Sequence, residues 1–247
     1  MVYRKILIVH PNDNSTAFLN RIKNHLKAKF ESQTHHFNVY PNQKSHLDCI
    51  NRIASHSENG FVLFLGHGRS DKLYGSKGKY YENEIFVSQS AIDENPDDFY
   101  YNDDFINKDN SYIFSKKKIF CLACNSNDKL AKFALDSGVK TFVGFGGIPT
   151  SKLEFEEDGI KNVSHDIVKL MKTEINYIIK KSIEIGITNN YSFIQLQNTI
   201  NFITSQKITY YLVESKKLKD RHLLADYLYY FKKNMQIFGD KYAKLVD

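Results

Sequence analysis

Cysteine is scarce in this chain, with three among 247 residues, and proline is scarcer relative to its usual share, with four. Three thiols are too few and too odd in number for a disulfide-stapled framework, so the expected setting is a reducing, cytoplasmic compartment with free cysteines. No apolar run approaches the roughly 18 residues of a membrane-spanning helix, so no membrane partner is expected. The opening run MVYRKILIVHPND breaks at Pro11 and has the character of a buried strand, not of a signal peptide. A strong charge of one sign is also missing. The net charge is +6, and residues 1–150 and 151–247 each contribute +3. Neither part is a basic domain, which removes the electrostatic case for direct nucleic-acid binding. A hydrophobic content of 42% with 25% charged residues excludes disorder over most of the chain.

What is present falls into two regions of different periodicity. In the first, short apolar runs alternate with amphipathic stretches. Strands are expected at Tyr3–His10, Thr34–Tyr40, Phe61–Leu65, Lys118–Ala123 and Lys140–Gly144. Helices are expected at Ser15–Phe30, capped by Asn14 or Ser15, at Lys44–His56 and at Asp128–Ser137. Alternating strands and helices predict an α/β fold with a mostly parallel sheet flanked by helices. The unbroken apolar strands fit burial on both faces. Residues 69–114 form a long irregular insertion with an expected hairpin over Lys72–Ser88. Its stretch Asp93–Asp104 holds six acidic and no basic residues. It lacks the calcium-loop spacing of an EF-hand, and a solvated loop or a surface for a basic partner remains open. After Pro149 no proline occurs, and residues 160–185, 192–216 and 220–238 read as helices, giving a helical C-terminal layer.

In a parallel sheet, ligands bind where the loops leave the carboxyl ends of the strands. Strand one exits through His10-Pro11-Asn12-Asp13 and strand three through Gly66-His67-Gly68. Strand four exits through Ala123-Cys124-Asn125, and strand five through Gly144-Phe145-Gly146-Gly147. If strands three and four are neighbours, His67 and Cys124 leave one edge about 5 Å apart. A thiolate is a nucleophile, and a nearby imidazole exchanges its proton with the thiol or with the leaving amine. Gly68 frees a backbone N–H beside the histidine, and with the N–H of Cys124 it can hold an oxyanion. A helix start at Asn125–Asp128 is expected to favour the Cys124 thiolate. The plainer readings are a turn histidine and a small buried thiol. Cys121-Leu-Ala-Cys124 matches C-x-x-C, but strand positions 121 and 124 face opposite ways and no second pair exists. Cys121 and Cys49 are therefore expected in the core, with no metal and no cofactor.

The segments FVLFLGHGRS (Phe61–Ser70) and KIFCLACNS (Lys118–Ser126), with 57 residues from His67 to Cys124, resemble the His-Gly and Ala-Cys signature of the caspase-like cysteine proteases. The likeness is nearest to bacterial CHAT domains and extends to GVKTFVGFGG after the next helix. The resemblance implies a caspase-like protease domain over residues 1–185, with 186–247 as a helical extension packed on it. It implies a cysteine endopeptidase acting on a protein substrate, with His67 as general acid or base, Cys124 as nucleophile and Gly68 as oxyanion donor. It further implies latency relieved by a regulatory protein or ligand, in bacterial defence or cell death. Leu122 stands where many relatives carry a polar or acidic residue. Loops after strands one and five supply the family's pocket walls, so Asp13, Gly146, Gly147, Glu154 and Glu156 are substrate-binding candidates, the acids for a basic P1 residue. Glu157 and Asp158 are further acidic candidates. Two other classes stand beside this reading: an inactive binding module on the same fold, and a nucleotide-binding protein using Gly144–Gly147.

Overall fold

A computed structural model describes residues 5–11, 14–80 and 89–246. Six strands form one sheet: β1 (Ile6–Pro11), β2 (Thr34–Val39), β3 (Phe61–Leu65), β4 (Lys118–Leu122), β5 (Thr141–Gly144) and β6 (Gln236–Gly239). Their spatial order is β2-β1-β3-β4-β5-β6. The first five run parallel, and β6 is antiparallel to β5. The helices are α1 (Asn20–Lys29), α2 (Gln43–Ala54), α3 (Gln89–Glu94), α4 (Pro96–Phe99), α5 (Lys129–Asp136), α6 (Lys152–Glu157), α7 (His165–Thr188), α8 (Phe193–Thr209) and α9 (Arg221–Lys233). This is the expected α/β architecture: a mostly parallel sheet flanked by helices, with helices in the C-terminal part.

Every residue of β3 and β4 is buried because both faces of the sheet are covered. Phe61, Leu63, Leu65, Phe120 and Leu122 face a layer built from α1, α7, α8 and α9, with Ile22, Ile175, Leu196 and Leu228 among its members. The intervening Val62, Phe64, Ile119 and Cys121 face a second layer with Cys49 and Ile53 of α2 and Leu130 and Ala134 of α5. Cys49 and Cys121 are thus core residues, as expected. The long α7 is started by the Ser164 hydroxyl, which accepts the Ile167 N–H at 3.3 Å. Its Ile167, Met171, Ile175, Ile179 and Ile183 recur at helical spacing into the first layer. No helix among the described residues is long and apolar enough to cross a membrane.

One local expectation needs correction, and two others are set beside the described residues. The helix expected over 220–238 ends at Lys233, and Gln236–Gly239 pairs with β5 instead. Ile237 packs against the first layer and Phe238 against the second. That two-residue alternation suits a strand, and the pairing satisfies an otherwise open edge of β5. The boundary expected at residue 185 falls inside α7, and β6 carries the C-terminal segment into the sheet. The hairpin expected over Lys72–Ser88 lies partly outside the described residues. Within them, the N–H groups of Gly75, Gly78 and Tyr80 donate to the carbonyls of Asn102, Tyr100 and Asp98. At Gly78 a Cβ would come within 2.4 Å of the Asp97 oxygen, so this close pairing depends on glycine. The insertion is also anchored by Leu73, Phe105, Ile106, Ile113 and Phe114 in the second layer.

Candidate active site

The β3–β4 register sets the site. Leu65 stands opposite Leu122, and the Gly66 N–H donates to the Leu122 carbonyl at 3.3 Å, carrying the pairing past the strand ends. His67 and Cys124 each follow two residues after the matched pair Leu65 and Leu122, so they leave neighbouring strands at the same height. Parallel strands lie about 4.8 Å apart. His67 and Cys124 line one small pocket, with Thr16, Phe18, Leu122, Ile148, Thr150 and Ile175 among its other walls. The walls are mostly apolar.

His67 is half-buried. Its Nε2 lies 2.7 Å from the Ser15 hydroxyl, and its carbonyl accepts the Tyr74 N–H at 3.1 Å. Gly68 bridges Leu73 in antiparallel fashion. The flanking bonds run from Arg69 N–H to the Lys72 carbonyl and from Tyr74 N–H to the His67 carbonyl. Gly68 and Leu73 are therefore a non-hydrogen-bonded pair, and the Gly68 N–H points away from the Leu73 segment. A Cβ at Gly68 would meet Leu73 at 3.0 Å, Ala123 at 3.1 Å and the Cys124 carbonyl at 3.2 Å. The close approach of β3's exit to the Cys124 turn thus favours glycine.

Cys124 sits on a tight turn. Asn125 takes a left-handed conformation at φ 53°. The Ser126 hydroxyl reaches back to the Ala123 carbonyl at 2.8 Å and accepts the Phe145 N–H at 3.0 Å. The Asn125 N–H donates to the Gly146 carbonyl at 3.0 Å. The helix start expected at Asn125–Asp128 falls at the far end of that range, where Asp128 is the N-cap of α5, so Cys124 stands four residues before the cap. Burial pushes the Cys124 thiol up to about 12, and the carboxylates of Glu154 and Asp158 add to the rise. The half-buried thiol donates to the Ile148 carbonyl at 3.4 Å, a bond that only the protonated form can make. The resting group is a neutral thiol under the segment that follows β5.

The remaining candidates separate. Asp13 lies outside the described residues. Gly146 abuts the Asn234 side chain, where a Cβ would come within 2.8 Å, so its close approach is to the end of α9. Gly147 is exposed, with open space at its Cβ position. Glu154 belongs to the cap of α6: Ser151 accepts its N–H at 3.2 Å, and its carboxylate accepts the Thr150 hydroxyl at 3.1 Å. Through Thr150, a pocket wall, it borders the site. Glu156 and Glu157 are exposed on α6, and exposed Asp158 accepts the Tyr227 hydroxyl at 3.2 Å.

Two participants escaped sequence reading. Ser15, considered only as a helix cap, instead reaches His67, while a 3-10 turn at Ala17–Leu19 precedes α1. The Ile148 carbonyl meets the thiol from 24 residues away. Serine on a loop leaving a strand is a weak signal, and a backbone carbonyl gives none. No family model, curated protein or solved structure matches this chain.

Proposed function

We propose that the chain is a cysteine endopeptidase whose dyad is His67 and Cys124. One observation carries the reading: the β3–β4 register sets a histidine and a cysteine at equal height on the carboxyl edge of a parallel sheet, in one pocket. Ligands of open α/β sheets bind at that edge. An extended protein segment lies across it. His67 takes the Cys124 proton, and the thiolate attacks the scissile carbonyl. The N–H groups of Gly68 and Cys124 hold the oxyanion. The tetrahedral adduct collapses as His67 returns the proton to the leaving amine, and the C–N bond breaks. Water then attacks the thioester, giving up a proton through His67 and releasing the acid and the thiol.

The same reading includes restraint. A thiol held near 12 is almost wholly protonated at neutral pH, so the resting enzyme is slow. Release requires the Ile148–Asp158 segment to move its carboxylates and carbonyl away from Cys124, the step assigned to a regulatory protein or ligand.

The test is a diverse peptide library treated with wild type and with Cys124→Ala, alongside labelling by a peptidyl acyloxymethyl ketone. New termini from wild type alone, with the ketone on Cys124, are expected. Identical termini from both proteins, or no ketone labelling across pH 6–10, overturn the reading. The second reading, an inactive binding module on this fold, is favoured by the raised thiol and predicts that silence.

A further inference from the structure

We propose that His46 is an acid-sensitive latch: as a neutral imidazole it pins the tip of the 69–114 insertion to the first turn of α2, and its protonation releases that tip. The proposal goes beyond the protease reading and does not rest on it. Both ring nitrogens meet partners of fixed character. Nδ1 lies 2.7 Å from the Asn42 carbonyl, which can only accept, so Nδ1 carries the proton. Nε2 accepts the Ser76 N–H at 3.1 Å, so Nε2 keeps its lone pair. These two bonds select one neutral tautomer. His46 is 2% exposed and Ser76 is fully buried.

The latch joins a core-anchored base to a tip that is paired internally. At the base, Leu73 and Ile106 exchange N–H···O bonds at 2.7 and 3.2 Å, and both are fully buried. Beyond it, Gly75, Gly78 and Tyr80 donate to the carbonyls of Asn102, Tyr100 and Asp98, all within the insertion. Two side chains at the start of α2 reach this tip. Asn42, the N-cap, donates through Nδ2 to the Asp97 carboxylate at 2.9 Å, and His46 holds Ser76. Tyr100 and Phe105 pack on the imidazole with ring centroids at 5.1 and 4.9 Å. A Cβ at Gly75 would collide with the His46 ring, so glycine lets the backbone close over it.

Protonation removes the basis of this contact. An imidazolium carries an N–H at Nε2 and has no lone pair for the Ser76 N–H. Two donors then face each other at a buried site, where an unsatisfied group and a desolvated charge are both costly. His46 also lies in the first turn of α2, where the helix dipole disfavours a cation. The titratable groups on the elements around the ring are Lys44 and Asp48 of α2, Asp97 and Asp98 of α4, and Lys77, Lys79, Tyr100, Asp103 and Asp104 of the insertion. The ring's own hydrogen bonds go to backbone groups of Asn42 and Ser76. Burial pushes His46 below its ordinary 6.5, against the bond to the Asn42 carbonyl that favours the charged form. The closed latch thus binds a proton more weakly than the released one, and falling pH favours release.

The experiment is hydrogen exchange read by mass spectrometry on the full chain, between about pH 4.5 and 7.5, with protection corrected for the intrinsic exchange rate. In wild type, protection over residues 74–80 is expected to fall by about tenfold per pH unit below 6.5, while β4 keeps its protection. His46→Gln offers a carbonyl to Ser76 and an amide to Asn42 without titrating, so its protection over 74–80 is expected to stay level. Wild-type protection that ignores pH, or an equal fall in His46→Gln, overturns the proposal. Should β4 lose protection in His46→Gln, wild type decides through nitrogen-15 shifts of its assigned His46 ring. An Nδ1–H tautomer that titrates in step with the loss of Ser76 protection is expected. An Nε2–H tautomer, or a titration that leaves Ser76 protected, overturns the latch.

Discussion

The two ends of the parallel strands both hold titratable groups displaced from their ordinary behaviour, but in different surroundings. At the carboxyl end, the Cys124 thiol is pushed up to about 12 by burial and by Glu154 and Asp158. At the amino end, burial pushes His56 down to about 4, against a hydrogen bond to the Lys5 carbonyl that favours its charged form. Lys117 beside it is also lowered by burial. At the amino end, however, the groups are closed in by backbone. Phe61 N–H donates to the Lys5 carbonyl and Lys118 N–H to the Gly60 carbonyl, and a Cβ at Gly60 would come within 2.5 Å of the His56 ring. At the carboxyl end, His67 and Cys124 converge on a pocket. A perturbed titration reports burial and neighbouring charge; convergence on space for a ligand is the additional observation on which the proposed site rests.

The largest effect that sharpens this contrast is expected from Phe145→Ala. Phe145 is fully buried, packs on Phe120 at 5.4 Å and stacks on Phe231 at 5.1 Å between ring centroids. Its backbone also bonds the Cys124 turn through Ser126 and Asn127. Truncation is expected to cost about 3–5 kcal/mol, read as a lower urea midpoint. Cys124 should also be alkylated by iodoacetamide before global unfolding. Alkylation that waits for global unfolding would break the link between this packing and the closed thiol.

A smaller effect is expected from Glu154→Gln, which keeps an acceptor for Thr150 but removes the charge. Removing a negative charge beside a thiol favours the thiolate, so the pH profile of Cys124 alkylation should move to lower pH. Each unit of movement is worth about tenfold in rate at a fixed pH below the midpoint. A profile that stays in place would locate the restraint in burial alone. The same substitution should leave the amino end untouched, seen as an unchanged His56 titration.

The smallest and broadest effect belongs to His56. Its folded value lies below its ordinary 6.5, so the unfolded chain takes up a proton first as pH falls. Neutral His56 therefore supports the fold above 6.5, and that support drains away as pH drops toward about 4. His56→Gln should flatten stability against pH across that window, measured by urea midpoints, while Cys124 alkylation keeps its profile. A coupled change in both would show that the two ends of the sheet are not independent.

Much of the fold was legible because burial on both faces of a parallel sheet writes itself as unbroken apolar runs. Phe61–Leu65 and Lys118–Leu122 were placed to the residue at their starts, and Gly138, at φ 80° beyond α5, marks the expected helix end. β6 was not legible. Gln236–Gly239 continues a pattern of apolar residues that also suits a helix, and only an open strand edge nearly a hundred residues away in sequence, at Thr141–Gly144, makes it a strand. The candidate site divides in the same way. His67, Gly68 and Cys124 were visible as residues that terminate apolar runs. The helix after Cys124 was legible, with Asp128 as its cap, but its distance from the thiol was not, because the chain first turns through Asn125–Asn127 to pair with the loop after β5.

By itself, then, the sequence determined which segments are the parallel strands of a covered sheet and which reactive side chains leave their carboxyl ends, since both follow from local periodicity and strand direction. The tertiary structure alone decided what those side chains meet: Ser15 at His67, and the Ile148 carbonyl with the Glu154 charge at Cys124. Those contacts join residues 24 to 52 positions apart. Their existence depends on strand order and loop closure, for which local sequence carries no signal.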